Sequence, residues 1–149
     1  MRNSFLIATC IVIFIVSTAL AGFPLKSGVY RINQLDTAKA EALSRNKAIA
    51  FIYSDENTTC PLCAGASIDA INYLSDVCEI VYVDKNTDWE KLPELVRQAI
   101  NSPAAGRFIP KTIIVDAQIE KVIAIAPYVK TEERKELLDG VKDQISRNK

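Results

Sequence analysis

Residues 48–63 read Ala-Ile-Ala-Phe-Ile-Tyr-Ser-Asp-Glu-Asn-Thr-Thr-Cys-Pro-Leu-Cys. The first seven of these residues form a short apolar run of the kind found in buried strands, and a polar loop over 55–59 follows. Pro61 suits the first position of a helix because proline needs no partner for a missing N–H there. The stretch therefore predicts a buried strand, a loop, and a helix that begins beside Cys60.

The position of Cys60 at a helix start favours its thiolate form. Unpaired backbone N–H groups and the positive end of the helix surround a sulfur at this point, and the thiolate is the species that attacks disulfides. Cys63 lies one turn further on the same side, close enough to attack a mixed disulfide at Cys60. The spacing predicts Cys60 as the nucleophile and Cys63 as the resolving thiol of a redox-active disulfide, a pair that needs no organic cofactor.

The rest of the chain predicts helices that alternate with strands. Apolar residues at helical spacing favour helices, and short apolar runs favour strands. The predicted helices cover 34–46, 61–77, 93–100 and the stretch from Thr131 to near the end, and the predicted strands cover 48–54, 79–84, 112–115 and 121–126. The order α-β-α-β-α-β-β-α predicts an α/β fold with a central four-stranded mixed sheet flanked by helices on both faces.

Composition excludes several classes of protein. The 18 basic residues balance the 18 acidic residues, so no basic field exists to hold nucleic acid. The absence of histidine excludes histidine-based nucleophilic triads and most catalytic zinc sites. Neither GxGxxG nor GxxxxGK[ST] occurs, so nucleotide-binding loops of those kinds are excluded too.

The CxxC pair has two other interpretations. It would form half of a zinc site, but such a site needs two more ligands, and Cys78 is the one cysteine left beyond the amino-terminal segment, so we expect no metal. It would also form a structural disulfide in a domain without catalytic activity, since such pairs occur in exported proteins. Cys78 itself fits a buried structural position better than a third redox role.

The amino-terminal segment has the features of a signal peptide. Arg2 precedes an apolar stretch over 6–16, and Ala19-Leu20-Ala21 fits a small-x-small cleavage pattern. We therefore expect residues 1–21 to be removed and a single domain over 22–149 to reach the periplasm or the extracellular medium. The alternative is an uncleaved anchor, the one case in which the protein would contact a membrane, although the apolar stretch is short for a span.

Over roughly residues 47–145 the sequence resembles the thioredoxin superfamily. The resemblance rests on Cys60-Pro61-Leu62-Cys63 and on the run from Gly106 to Ile109-Pro110 directly ahead of a predicted strand. It implies a thioredoxin-like fold in which the Ile109–Pro110 peptide bond is cis and lies beside the CxxC pair. It also implies that the backbone of Ile109, next to Pro110, binds a strand of the substrate.

The sequence departs from the thioredoxin pattern at three places. Thr59 stands where thioredoxins have tryptophan, no acid occurs in the strand residues 50–53, and Ala126-Pro127 replaces a glycine after the last strand. Pro61 between the cysteines is more similar to glutaredoxins or to oxidising periplasmic relatives. These departures favour disulfide donation or shuffling over reduction, although Asp55 and Glu56 would oppose the positive helix end and raise the thiol pKa.

The two functional hypotheses differ in class. The first is a thiol-disulfide oxidoreductase that acts on cysteines of exported proteins and is recycled by a redox partner protein. The second is a non-catalytic thioredoxin-fold binding or scaffold module with a structural disulfide. Fast alkylation of an exposed Cys60 favours the enzyme, whereas an inert pair favours the module.

Overall fold

A computed structural model describes residues 28–148, and within that range a five-stranded sheet forms the centre of the fold. Its strands are β1 (Val29–Arg31), β2 (Ala48–Ser54), β3 (Cys78–Asp84), β4 (Lys111–Val115) and β5 (Val122–Ala126). The spatial order is β1-β3-β2-β4-β5. β1 and β2 run parallel to β3, β4 runs antiparallel to β2, and β5 runs antiparallel to β4. The predicted α/β class and mixed sheet are confirmed.

Four α-helices cover both faces of this sheet, as predicted. They are α1 (Leu35–Arg45), α2 (Pro61–Leu74), α3 (Glu94–Asn101) and α4 (Thr131–Arg147). Thr131 begins the final helix and does not cap it, as its residue type would favour, because Lys130 occupies the cap position without a side-chain cap bond.

The predicted number of strands was wrong, because β1 is a fifth strand that the sequence pattern did not indicate. It is only three residues long, all half-buried, and it lies at an edge of the sheet. Three residues are too few to show the alternation that identifies a strand. Parallel pairing of Val29 with Ile80 and of Arg31 with Tyr82 defines it, and this pairing depends on tertiary structure.

Successive residues of the central strands point into two separate core layers. On one face Ile52 and Tyr82 pack with Leu74 of α2 and Leu138 of α4. On the other face Phe51 packs in a layer that includes residues of α1 and α3. Because β2 is covered on both sides and paired on both edges, its sequence is a nearly continuous apolar run and not an alternating one. The layer under α2 is the one that supports the cysteine pair.

The loop from β2 to Cys60 is pinned to the neighbouring strands by polar contacts. The Arg31 guanidinium donates to both carboxylate oxygens of Glu56, at 2.7 and 2.5 Å. The backbone N–H of Glu56 donates to Asp84 Oδ1 at 3.2 Å, and Lys85 Nζ lies 3.3 Å from Asp55 Oδ2. These contacts fix the path of the chain where it leaves the sheet, and both loop acids have a cationic partner.

The expected signal peptide, residues 1–21, and its cleavage site before Gly22 lie outside the described residues. Within residues 28–148, no helix is both long enough and apolar enough to span a bilayer.

Candidate active site

Cys60 caps the amino-terminal end of α2. Its backbone is extended, with φ −83° and ψ 108°, and Pro61 occupies the first helical position. The backbone N–H of Cys63 donates to Cys60 Sγ at 3.3 Å. The N–H of Cys60 donates in turn to Thr58 Oγ1 at 3.2 Å. The helix start thus holds the Cys60 sulfur against backbone donors that would otherwise lack a partner.

The two thiols of the motif are in direct contact, and their pKa values are shifted in opposite directions. Cys63 Sγ lies 2.6 Å from Cys60 Sγ. The pKa of Cys60 is lowered, first by the hydrogen bond from the Cys63 thiol and then by the Cys63 backbone N–H. The pKa of Cys63 is raised, first by the same hydrogen bond and then by burial. Of the two thiols, Cys60 is therefore the one that loses its proton first.

Cys78 lies far from this pair. It is buried at the first residue of β3, where it is paired in register with Ala48 at the start of β2. Cys60 follows the other end of β2, and the seven residues of that strand span about 20 Å. The fold therefore separates Cys78 from the thiols of the motif.

The loop before β4 carries the predicted substrate-binding residues. The Ile109–Pro110 peptide bond is cis, as the resemblance implies. Pro110 lines a cavity of about 20 Å³ together with Ala66 of α2 and Pro127 of the segment after β5. Pro110 is thereby placed against the helix that Cys60 caps.

Two large apolar side chains are exposed in these segments. Phe108, two residues before Pro110, is 69 % exposed, and Leu62, between the two cysteines, is 61 % exposed. The Phe108 ring makes an edge-on contact with Tyr128, with a centroid distance of 6.4 Å. The loop and the segment after β5 therefore present an aromatic pair at the surface.

Three features of the chain now coincide. β2, β3, β4 and β5 form a mixed sheet in the order β3-β2-β4-β5, a CxxC pair begins the helix that follows β2, and a cis proline precedes β4. This combination defines one architecture. The chain has a thioredoxin-like fold. The fifth strand, β1, is an addition at the β3 edge and leaves that core arrangement unchanged.

Comparisons with known proteins give the following likenesses. The structure is similar to a disulphide isomerase from Xylella fastidiosa Temecula1, with TM-score 0.49 and 17 % identity, covering 83 % of this chain and 95 % of that one. It is similar to the oxidoreductase DsbH, with TM-score 0.45 and 15 % identity, covering 95 % of each chain. It is also similar to chloroplastic thioredoxin z, with TM-score 0.43 and 14 % identity, covering 80 % and 98 %. The sequence matches no protein-family model and no curated protein.

Sequence reasoning missed two serines beneath the cysteine pair. Ser67 of α2 lies with its Oγ 3.2 Å from the Cys63 carbonyl oxygen and 3.1 Å from Ser54 Oγ at the end of β2. Both serines are buried. The signal that would have found Ser67 is its position four residues after Cys63, on the helix face that Ala66 and Ala70 identify as buried.

The described residues contain no cluster suited to a metal ion. Within residues 28–148, no group of three or more cysteine, aspartate or glutamate side chains has a metal-binding arrangement.

Proposed function

We propose that this protein is a thiol-disulfide oxidoreductase that acts on cysteines of exported proteins, with Cys60 as nucleophile and Cys63 as resolving thiol. The observation that carries the proposal is the contact between two sulfurs whose pKa values are shifted in opposite directions. Cys60, at the helix cap, has a lowered pKa, and Cys63, 2.6 Å away, has a raised one. A partly exposed thiol that ionises before its neighbour is the arrangement that exchange chemistry needs.

The forward reaction oxidises a substrate dithiol. A substrate thiolate attacks Cys60 Sγ of the oxidised protein, the Cys60–Cys63 bond breaks, and Cys63 leaves as a thiolate that takes up a proton. A second substrate thiolate then attacks the substrate sulfur of the mixed disulfide, and Cys60 leaves as a thiolate. Two electrons pass from the substrate to the protein, the substrate gains a disulfide, and a redox partner protein reoxidises the dithiol.

The lowered pKa of Cys60 favours this direction. A stabilised thiolate stabilises the dithiol form of the protein, which makes its disulfide a stronger oxidant. The pairing of Asp55 with Lys85 and of Glu56 with Arg31 supports the same direction, because each loop acid is balanced by a neighbouring cation and opposes the positive helix end less.

The loop around Pro110 is the proposed docking site for the substrate chain. The Ile109 backbone would pair with an extended segment of the substrate next to its cysteine. The exposed Phe108 and Leu62 side chains would contact apolar residues that flank that cysteine, since large exposed apolar side chains beside a reactive group favour such contacts.

Export is part of the proposal. Residues 1–21 would be cleaved as a signal peptide, and the mature protein would work in the periplasm or outside the cell, where protein cysteines form lasting disulfides. Intact mass measurement of the exported protein tests this: a chain that begins at Gly22 supports it, and a full-length membrane-bound chain contradicts it.

Limited alkylation of the reduced protein, followed by peptide mapping, tests the function itself. Cys60 should react first, and much faster at pH 7 than an ordinary thiol, whose pKa is about 8.5. The control is the unfolded protein, in which all thiols should react alike. An inert Cys60 in the folded protein, together with no oxidation of a dithiol peptide, would support the scaffold module with a structural disulfide instead.

A further inference from the structure

A pair of buried hydroxyl groups links the active-site helix to the central strand. Ser54, the last residue of β2, is 1 % exposed, and Ser67 of α2 is 2 % exposed. Their hydroxyl oxygens are 3.1 Å apart. The surrounding layer is apolar, with Ile52, Ala70 and Ile71 close by in the same cluster. A polar pair in such a layer requires satisfied hydrogen bonds.

Hydrogen bonds connect Ser54 to the Cys63 backbone through Ser67. Ser67 has one proton to donate, and its Oγ lies 3.2 Å from the Cys63 carbonyl oxygen, which is the back-bond that serine forms to the residue four positions earlier in a helix. If Ser67 donates there, Ser54 must donate to Ser67. The Ser67 hydroxyl thus lies within hydrogen-bond distance of both the Cys63 carbonyl oxygen and Ser54 Oγ.

This chain anchors Cys63 to the strand that also leads to Cys60. The loop over 55–59 connects the end of β2 to Cys60 through the backbone. The Ser54–Ser67 contact connects the same strand end to the peptide group of Cys63. Both sulfurs are therefore positioned relative to Ser54, one through the chain and one through hydrogen bonds.

We propose that Ser67 and Ser54 are positioning residues that hold Cys63 in place to resolve a mixed disulfide at Cys60. The inference rests on the proposed function, because attack of Cys63 on a mixed disulfide at Cys60 is the reverse of the first step of substrate oxidation, in which Cys63 leaves Cys60. Resolution is an intramolecular attack, and its rate depends on how well the reacting sulfurs are oriented. The first attack, by Cys60 on a substrate disulfide, does not use Cys63 as a reactant. It depends on Cys63 only through the contact of the Cys63 thiol with the Cys60 sulfur, so loss of the serine contacts should affect it less than resolution.

The test separates the two steps in a single turnover. The reduced protein is mixed with a peptide that carries a chromogenic aryl disulfide, so that release of the aryl thiol reports attack by Cys60. Release of the peptide thiol, followed by mass spectrometry, reports resolution by Cys63. For Ser67→Ala and Ser54→Ala we expect the first rate within about twofold of wild type and the second rate reduced by tenfold or more, with the mixed disulfide accumulating.

Matched variants distinguish positioning from a merely structural role. Ser67→Thr retains a hydroxyl that reaches the carbonyl four residues earlier and should resolve the mixed disulfide as fast as wild type. Ser67→Val places a side chain of nearly the same shape as threonine there, without the hydroxyl, and should resolve it slowly. Ser146→Ala is the control, because Ser146 Oγ makes the same kind of bond to the Lys142 carbonyl at 3.0 Å, on the exposed side of α4. It should leave both rates unchanged.

The outcomes are distinct. Slow resolution in Ser67→Val with fast resolution in Ser67→Thr supports the inference, and this isosteric pair decides it even if the alanine variants fold poorly. Lower melting temperatures with both rates unchanged would overturn it while leaving the proposed function intact. Absence of aryl thiol release by the reduced wild-type protein would instead contradict the proposed function.

Discussion

Replacing Gly106 with alanine tests whether the loop that carries Pro110 has the conformation described here. Gly106 has φ 68° and ψ −175°, a region of backbone conformation that is essentially restricted to glycine and costs other residues about 1–3 kcal/mol. A Cβ at this position would also lie 3.3 Å from Pro127 Cβ, so the neighbouring segment would have to shift by a few tenths of an ångström. We expect Gly106→Ala to lower the free energy of unfolding by about 2 kcal/mol.

Gly140→Ala is a matched control with the opposite expected sign. Gly140 lies inside α4, and a Cβ there would meet no atom within 4 Å. Alanine stabilises a helix interior relative to glycine by about 0.5–1 kcal/mol. Urea unfolding monitors both variants: with a slope of about 1–3 kcal/mol per molar, the Gly106→Ala midpoint should fall by about 1 M and the Gly140→Ala midpoint should rise. A Gly106→Ala protein as stable as wild type would refute the described loop.

Three further predictions concern chemistry and charge. Cys60→Ser should abolish disulfide exchange, and Cys63→Ser should accumulate mixed disulfides with exported proteins, which a gel-shift assay detects. Cys78→Ser should leave exchange largely intact. Equal losses of exchange from the Cys63 and Cys78 changes would overturn these roles. Phe108→Ala should raise KM for an apolar-flanked cysteine peptide several-fold with little change in the alkylation rate of Cys60; a change in that rate alone would show that the side chain acts on the thiol and not on the substrate. Glu56→Gln should lower stability by up to about 1 kcal/mol at pH 7. Hydrogen bonding to Arg31 lowers the pKa of Glu56, so this stabilisation is complete above the ordinary glutamate pKa of about 4.3 and is lost as the pH falls through the pKa of the folded protein. The urea midpoints of wild type and Glu56→Gln should therefore converge in acid. A difference between them that does not change with pH would contradict the ion pair.

Much of the fold was predictable because strong local signals mark its main elements. β2 matches its predicted bounds over 48–54, since a buried central strand is a continuous apolar run that polar residues end. The start of α2 was predictable from Pro61 alone. The first strand was not, because Val29–Arg31 acquires its identity from pairing with β3, a contact between segments about fifty residues apart in the chain.

The placement of the two cysteines at a helix start was predictable for the same reason, but the contacts around them were not. The CxxC spacing indicates two thiols at a helix start, and helix-end electrostatics indicate a lowered pKa for Cys60. The largest cause in the structure is instead the hydrogen bond from the Cys63 thiol, which requires the actual separation of the sulfurs. The cis state of Ile109–Pro110 followed from the resemblance to thioredoxins, because local chemistry favours the trans form.

The polar contacts around the site were beyond sequence reasoning because they join distant positions. Ser54 and Ser67 are 13 residues apart and meet only because α2 packs on β2. Arg31 and Glu56 are 25 residues apart and meet only because β1 pairs with β3. Serine and arginine are also common at exposed positions, so the residue type alone does not indicate the buried contacts that these side chains make.

Equilibration of the protein with glutathione redox buffers tests whether Cys60 and Cys63 form a redox-active pair that favours oxidation of substrates. The reduced fraction would be measured after acid quenching, alkylation and mass spectrometry of the peptide that contains both cysteines. We expect one two-electron transition at roughly −120 to −230 mV, above the thioredoxin value of roughly −270 mV. A transition at or below the thioredoxin value, or a pair that stays oxidised throughout, would contradict this expectation and leave a reductase or a structural disulfide.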